Sequence, residues 1–174
     1  MAVINGTANN DTLVGGAGND IISGLAGDDK ISGLGGNDVL NGDDGNDKLD
    51  GGTGNDILDG GGGADILFGE AGNDVFAFSI VEDESELADL GGDTINGFQS
   101  GADKIELGDL LGAFDIDFDD AFSGGFVLLT KSGTDTLVQF DSDGIALSAA
   151  APITLATVTD ATVTQADVIF TTDL

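Results

Sequence analysis

The chain has 174 residues, 40% of them hydrophobic, and carries 33 acidic side chains against four lysines and no arginine, which gives a formal net charge of −29. Such a charge argues against nucleic acid and anionic membrane surfaces as partners. Because the chain has no histidine and no cysteine, it also lacks disulfides and the usual ligands of zinc, copper and iron–sulfur sites.

The N-terminal end carries no recognisable export signal. Residues 1–10 lack both the basic and the apolar region of a secretory signal peptide. The best candidate for an apolar span, residues 146–158, is interrupted by Ser148, Pro152, Thr154 and Thr157 and does not approach the length of a membrane span. We therefore expect neither Sec-dependent export nor membrane insertion.

Residues 6–77 repeat every nine positions and form eight units. A glycine opens each unit: Gly6, Gly15, Gly24, Gly33, Gly42, Gly51, Gly60 and Gly69. An aspartate holds the sixth place: Asp11, Asp20, Asp29, Asp38, Asp47, Asp56, Asp65 and Asp74. An apolar side chain holds the eighth: Leu13, Ile22, Ile31, Leu40, Leu49, Leu58, Leu67 and Phe76. A low-complexity linker would not keep an acid and an apolar residue in phase eight times.

Each unit divides into a six-residue glycine-rich loop and a three-residue strand. Glycine and asparagine accept positive φ angles, so such loops turn tightly and direct carbonyl oxygens inwards. A repeat of this kind predicts a solenoid. With two units per coil, the odd-numbered units lie on one side of the solenoid and the even-numbered units on the other. We call these the odd side and the even side. The odd edge carries Asp11, Asp29, Asp47 and Asp65, and the even edge carries Asp20, Asp38, Asp56 and Asp74.

The stacked carboxylates predict a cation between them. Neighbouring strands lie about 4.8 Å apart, and two carboxylates near that spacing repel by roughly 3 kcal/mol at an effective dielectric constant of about 20. Eight buried apolar side chains, at about 2 kcal/mol each, offset little of an ordering cost of roughly 1.5 kcal/mol per residue. The available ligands are carboxylate and carbonyl oxygens, which suit calcium better than magnesium because calcium accepts six to eight oxygens in flexible geometry.

The repeat follows the pattern Gly-Gly-x-Gly-x-Asp-x-apolar-x, for example in residues 51–59. In this pattern the chain resembles the RTX, or hemolysin-type, family of calcium-binding nonapeptide repeats. The resemblance implies a right-handed parallel β-roll. It also implies that calcium lies between consecutive loops on the same edge, held by the sixth-place aspartates and by loop carbonyls.

Carried over to this chain, the resemblance implies a specific set of ligands. The side-chain ligands are the eight sixth-place aspartates, paired as Asp11/Asp29, Asp29/Asp47, Asp47/Asp65, Asp20/Asp38, Asp38/Asp56 and Asp56/Asp74. Six gaps imply about six internal ions. The carbonyl ligands are glycines of the second and fourth places: Gly16, Gly18, Gly27, Gly36, Gly45, Gly52, Gly54, Gly61, Gly63 and Gly72. Other residues replace the expected glycine at Asn9, Leu25, Leu34, Asp43 and Glu70.

Beyond residue 77 the repeat stops, and we predict short strands separated by turns. Residues 83–86 form an acidic connector that leads into a short turn of helix. Residues 114–119 alternate, with Phe114, Ile116 and Phe118 on one face and three aspartates, either a further cation site or a solvated face, on the other. Turns at 124–125, 132–133 and 143–144 separate strands at 126–130, 136–140 and 145–147. An edge strand is expected at 166–170.

Two C-terminal segments extend the resemblance. Residues 93–98 and 101–107 resemble the segment that follows the roll in serralysin-type proteases and alginate epimerase modules, where it extends and caps the roll. Asp93 and Asp103 match its acidic places and are either ligands of a terminal ion or turn residues. Residues 167–170 resemble the acid-plus-apolar tail of type I secretion substrates, although residues 171–174 extend past it.

The sequence therefore predicts an all-β protein with a right-handed parallel β-roll solenoid over residues 1–77 and a C-terminal β-rich cap and secretion-target region over 78–174. The predicted function is a calcium-binding, calcium-dependent folding module of a protein exported by type I secretion, hence secreted and extracellular, with calcium and the secretion apparatus as partners. The alternative is a structural or adhesive surface protein on the same roll. We expect no enzyme, since there is no Gly-x-Ser-x-Gly motif and Glu82, Glu84 and Glu86 fit an exposed acidic loop better than a catalytic pair.

The outward seventh place differs between the two sides. It is aliphatic on the even side, with Ile21, Val39, Ile57 and Val75, and mixed on the odd side, with Thr12, Lys30, Lys48 and Ile66. An exposed aliphatic row needs a partner, so we expect the even sheet to pack against the C-terminal strands or a second copy of the chain, while Lys30 and Lys48 stay in water. The alternative is that β-branched residues merely suit strands.

Overall fold

The computed structural model describes residues 1–79, 91–113, 116, 121–141 and 152–170. In this part of the chain nearly all regular structure is strand, arranged as a parallel solenoid of about four coils with two facing sheets. The predicted all-β roll is confirmed. The described residues contain no helix long and apolar enough to cross a membrane.

The even sheet has seven strands, and all of its pairings are parallel. In spatial order they are β1 (Val3–Asn5), β3 (Ile21–Ser23), β5 (Val39–Asn41), β7 (Ile57–Asp59), β9 (Val75–Ala77), β11 (Lys104–Glu106) and β15 (Val168–Ile169). Successive strands are shifted by one coil, so Ile21 pairs with Val39 and Val39 with Ile57. The nine-residue phase therefore becomes a column of equivalent side chains.

The odd sheet has eight strands and ends in an antiparallel meander. In spatial order they are β2 (Thr12–Gly16), β4 (Lys30–Gly35), β6 (Lys48–Thr53), β8 (Ile66–Ala71), β10 (Asp93–Asn96), β14 (Ile153–Val158), β13 (Asp135–Phe140) and β12 (Val127–Ser132). The prediction of three-residue strands holds for the four even strands of the repeat, β3, β5, β7 and β9, but is wrong for the odd sheet. In the odd sheet the pairing skips the first-place glycine and resumes at the second place, where Gly16 pairs with Leu34. The strands are longer there because the loops have equal lengths and also stack in register.

The roll begins earlier and ends later than residues 6–77. Val3 and Ile4 pair with Ile21 and Ile22, so residues 2–5 supply the end of a further unit. Ile4 lies nine positions before Leu13, which was the sequence signal for this extra strand. At the other end, β10 and β11 pair in register with β8 and β9. Residues 93–98 and 101–107 thus extend the two sheets, as the resemblance implied.

The core is a single column of eighth-place side chains that continues into the C-terminal part. From Ile22 to Phe76 these side chains are at most 2% exposed, whereas Leu13, in the second strand, is only half-buried. The same buried cluster includes Ile95, Ile105 and Phe140. The roll and the C-terminal strands therefore share one core across residue 77.

The C-terminal predictions are partly corrected. The hairpin of β12 and β13 turns at residues 133–134, one position after the predicted turn at 132–133, because Ser132 still pairs with Asp135. Neither α1 (Gly108–Ala113) nor β14 was anticipated. The edge strand expected at 166–170 covers only Val168–Ile169, because Gln165–Asp167 forms a 3₁₀ turn in which the Asp167 side chain bonds back to Thr164. The connector at 83–86 with Glu82, the alternation over 114–119 apart from Ile116, the turn and strand at 143–147, and residues 171–174 lie outside the described residues.

Of the two partners expected for the even sheet, the C-terminal strands or a second copy of the chain, the described C-terminal strands are not the one that covers it. β12, β13 and β14 extend the odd sheet at its edge, and β15 extends the even sheet at its edge, so none of them lies across the even face. Hydrogen bonding to an open strand edge satisfies backbone groups that face packing would leave exposed. Ile21 and Val39 remain 40% and 39% exposed. Lys30 and Lys48 are exposed, as expected.

Candidate metal centre

The sixth-place aspartates, here called rungs, form two continuous columns. The Oδ1 atom of each rung accepts a hydrogen bond from the backbone N–H of the rung one coil earlier, at 2.7–3.0 Å in the six predicted pairs. Asp93 and Asp103 continue the columns, since Asp65 N–H donates to Asp93 Oδ1 at 2.9 Å and Asp74 N–H donates to Asp103 Oδ1 at 3.1 Å. The structure therefore brings each predicted pair together and adds one rung to each column.

The second carboxylate oxygen distinguishes inner rungs from outer ones. Oδ2 is buried and has no hydrogen-bond partner in six consecutive rungs: Asp29, Asp38, Asp47, Asp56, Asp65 and Asp74. The outer rungs have local donors, since Thr7 donates to Asp11 Oδ2, Gly16 N–H to Asp20 Oδ2 and Gln99 N–H to Asp103 Oδ2. Leaving a buried carboxylate oxygen unpaired costs more than leaving a neutral acceptor unpaired. Six such atoms in two lines are suited to hold a cation along each edge.

The first-place glycines make room for this arrangement. A Cβ added to Gly15 would lie 2.9 Å from Asp20 Oδ2 and 2.8 Å from the carbonyl oxygen of Gly33 in the next coil. The same two kinds of oxygen crowd the added Cβ at Gly24, Gly33 and Gly42. The first-place glycines have no positive φ, unlike many second-place and fourth-place residues. They are required because two oxygen atoms approach the backbone closely.

The fourth-place carbonyls are the second source of unsatisfied oxygen. The carbonyl oxygens of Gly27, Gly36, Gly45 and Gly54 accept no hydrogen bond from the described part of the chain. Each points at the fourth-place glycine of the next coil, where an added Cβ would collide with it. The positive φ of these glycines, for example 110° at Gly36 and 134° at Gly54, orients the carbonyls along the edge of the roll.

Burial raises the pKa of the inner rungs. The pKa of Asp47 rises to about 7 and those of Asp56 and Asp65 rise to about 6, because burial disfavours the charged carboxylate more than the rung-to-rung hydrogen bond favours it. Repulsion between neighbouring rungs raises the pKa of Asp47 further. Burial likewise raises the pKa of Asp93 to about 8. Without a cation, the ionised carboxylates of the two columns therefore destabilise the folded chain.

These oxygen donors fit a hard cation. The described residues contain no group of three or more acidic side chains close enough together to bind one metal ion. Carbonyl oxygens therefore have to supply much of each coordination shell. Calcium accepts such a mixed set of carboxylate and carbonyl oxygens, and magnesium prefers to keep its waters. The donor set and the unpartnered Oδ2 atoms both match calcium.

Asp167 is a structural residue that the sequence analysis did not identify. It is 1% exposed and accepts hydrogen bonds from Ser100 Oγ, Gly101 N–H and both the N–H and Oγ1 of Thr164, with Lys104 Nζ at 3.6 Å. Burial favours a higher pKa for Asp167, but these hydrogen bonds outweigh it and lower the pKa. Asp167 thereby fastens the C-terminal tail to the turn that carries Asp103. The pattern Thr164-x-x-Asp167, a capping box, was the available signal.

Comparison with known proteins agrees with this geometry. A family model for the RTX calcium-binding nonapeptide repeat, in four copies, matches residues 5–40 and again residues 41–76. The solution structure of the AlgE6R3 subunit from the Azotobacter vinelandii mannuronan C5-epimerase is similar to this chain at 25% sequence identity and a TM-score of 0.53, with 97% of this chain and 82% of that chain covered. No curated protein sequence matches the chain. Residues 5–76 therefore match the RTX calcium-binding nonapeptide repeat and fold as a parallel β-roll.

Proposed function

We propose that this chain is a calcium-dependent folding module of a protein that leaves the cell by type I secretion and works outside it. The observation that carries the proposal is the set of six buried Oδ2 atoms without a hydrogen-bond partner, three on each edge of the roll. A fold that buries these charges unpaired is poorly stable, whereas one that binds calcium between them gains the binding free energy as folding free energy.

We propose that the ions lie between consecutive rungs on each edge. The ligands are the rung carboxylates together with second-place and fourth-place carbonyls. Six gaps come from the predicted pairs, and the Asp65–Asp93 and Asp74–Asp103 contacts offer two more. Calorimetric titration is therefore expected to find about six to eight ions per chain. A stoichiometry of two or fewer would contradict this placement.

Calcium gating follows from the concentrations on the two sides of the membrane. Extracellular calcium modules typically bind at about 10⁻⁴ to 10⁻³ M, far above the concentration in the cytosol. The chain would therefore stay unfolded inside the cell, where it can be threaded through a channel, and fold on reaching the exterior. We propose the division into a roll over residues 1–77 and a cap and secretion-target region over 78–174 because the nine-residue repeat ends at residue 77, while β10 and β11 of the second region continue the two sheets of the first.

Circular dichroism tests the folding step directly. In chelator we expect a spectrum dominated by disordered chain, and millimolar calcium should convert it to β-structure. Equal magnesium should do much less, because magnesium keeps its hydration shell and demands regular octahedra. A chain already rich in β-structure in chelator, unchanged by calcium, would sink the proposal.

The export step needs a separate test, since calcium-driven folding alone does not establish it. The chain is expressed in a bacterium with and without a type I transporter, and its amount in the medium is measured. We expect export only with the transporter. Equal amounts in the medium in both strains would remove the secretion part of the proposal and leave the calcium part intact.

We further infer a binding and folding role without catalysis. The chain has no histidine or cysteine to serve as base or nucleophile. The similar AlgE6R3 chain is named as a subunit of an epimerase, which supports the view that such a roll accompanies a catalytic unit within a larger protein.

A further inference from the structure

One face of the roll carries a continuous aliphatic row that the described part of the chain leaves partly open. The even-sheet stripe consists of Val3, Ile21, Val39, Ile57 and Val75, which pair in register on five adjacent strands. The exposed fraction falls along the stripe, from 68% at Val3 to 40% at Ile21 and 39% at Val39, and Ile57 and Val75 are half-buried. The open part of the stripe therefore lies towards the N-terminal end of the roll.

The odd sheet provides an internal comparison for this stripe. The same seventh place on its strands holds Thr12, Lys30, Lys48 and Ile66, and all four are exposed. Both sheets are built from the same repeat and impose the same local preference for extended residues. The odd sheet meets that preference without an unbroken aliphatic row, so β-propensity alone does not account for the even-sheet stripe.

The charge distribution indicates what covers the stripe. The ninth-place residues that share the even face are Asn5, Ser23, Asn41, Asp59 and Ala77, of which only Asp59 is ionisable. Most of the chain's surface is acidic and repels a second copy, but the outward side chains of β1, β3 and β5, which carry the open part of the stripe, include no ionisable group. The nearest charges are Asp43, which accepts a hydrogen bond from Ser23 Oγ, and Lys104, which follows Val75 in the seventh-place column. An identical face is therefore a suitable partner for it.

We propose that two copies of the calcium-folded chain associate weakly, with the even-sheet stripe of one packed against that of the other. A two-fold arrangement brings the same residues together on both sides, and stacked sheets lie about 10 Å apart. Five short strands present a face of only about 20 by 10 Å, well under the roughly 800 Å² per partner of a standard interface. A contact this small supports only weak association, so we expect the dimer at chain concentrations on the order of 1 mM.

Sedimentation of matched variants tests this pairing. Ile21→Lys places a charge in the stripe, and Ile66→Lys makes the same change at the same place of the repeat on the odd sheet, where the side chain is 43% exposed against 40% for Ile21. In millimolar calcium we expect wild-type chain to shift from monomer to dimer with concentration. Ile21→Lys should raise the midpoint at least about tenfold, and Ile66→Lys should leave it nearly unchanged.

A wild-type chain that stays monomeric up to millimolar concentration would overturn the proposal, as would equal effects of the two variants. If Ile21→Lys does not fold in calcium, dilution of the wild-type chain decides the matter by methyl NMR. Shifts that depend on concentration at Val3, Ile21 and Val39 but not at Ile66 support the pairing. Shifts spread over both sheets, or none, contradict it.

Discussion

At the scale of single residues, each inner rung borders two neighbouring gaps, whereas a terminal rung borders one. Asp38 accepts a hydrogen bond from Asp20 N–H at 2.7 Å and donates its own N–H to Asp56. Its Oδ2 atom is buried without a partner. Asp11 is the first rung of its column, is half-buried, and has Oδ2 bound by Thr7. The two rungs therefore differ in how much of the carboxylate is left for a cation.

This difference predicts unequal effects of equal substitutions. Asp38→Asn keeps an oxygen for the rung-to-rung hydrogen bond but removes the charge from two gaps, so we expect a loss of about two ions and a weaker calcium midpoint. Asp11→Asn should cost at most about one ion. Calorimetric titration measures both quantities. Equal losses from the two variants would contradict sharing of rungs between sites.

Residues in the loops also show where backbone geometry overrides side-chain preference. Leu25, Leu34, Asp43 and Glu70 adopt φ values of 65–77° at the second place, a conformation that costs an L-residue about 1–2 kcal/mol. The stacking of the loops imposes this geometry, because Gly52 and Gly61 adopt positive φ at the same place. Leu25 and Leu34 are also 46% and 52% exposed, so hydrophobic burial does not repay the strain.

At the scale of elements, the C-terminal tail holds the end of the roll in place. β15 pairs with β11, and Asp167 binds the turn between residues 99 and 103 from which Asp103 extends the even column. A tail of only a few residues thus connects a 3₁₀ turn, an edge strand and the last rung. Its loss should weaken the adjacent calcium gap as well as the strand.

Asp167→Ala is expected to destabilise the calcium-bound chain by about 2–3 kcal/mol, because it removes buried hydrogen bonds to a charged acceptor. The control is Asp44→Ala, which removes an exposed loop carboxylate outside the columns. Urea unfolding at saturating calcium measures the difference. If the two variants unfold at the same midpoint, the tail does not secure the roll.

At the scale of the whole molecule, the buried columns link folding to pH. In the folded chain the pKa values of Asp47, Asp56, Asp65 and Asp93 lie between about 6 and 8, above the value of about 3.9 for an unfolded aspartate. A raised folded-state pKa means that protonation favours the fold. This contribution is fully present below pH of about 4 and is lost as the pH rises through about 6 to 8.

In chelator, acidification from pH 8 to about 5 should therefore increase β-structure. In calcium the same acidification should weaken calcium binding, because protons and calcium compete for the rungs. Asp167 has a lowered pKa and works in the opposite direction, but its contribution is lost only at more acidic pH. Circular dichroism against pH, with and without calcium, measures both trends. A metal-free chain that gains structure as the pH rises would contradict this account.

Much of the fold could be predicted from the periodicity of the sequence. The remaining features depend on contacts between residues far apart in the chain. The solenoid, the two edges and the rung pairs follow from a nine-residue spacing, because every contact in a coil recurs at a separation of 18 residues. No such spacing rule predicts α1, β14 or the hydrogen bond that Ser100 Oγ donates to Asp167, which spans 67 residues.

The sequence by itself determined the phase of the acids and apolar residues, and with them the all-β roll and calcium as the expected ion. Only the tertiary structure decided which carboxylate oxygens lose every partner, why the first-place glycines are needed, and where the C-terminal strands attach. The physical reason is that spacing specifies which residues recur on a face or an edge. Spacing does not specify which side chains become buried, or whether a strand packs on the face of a sheet or pairs at its edge. Both depend on which distant segments of the chain contact that face or edge.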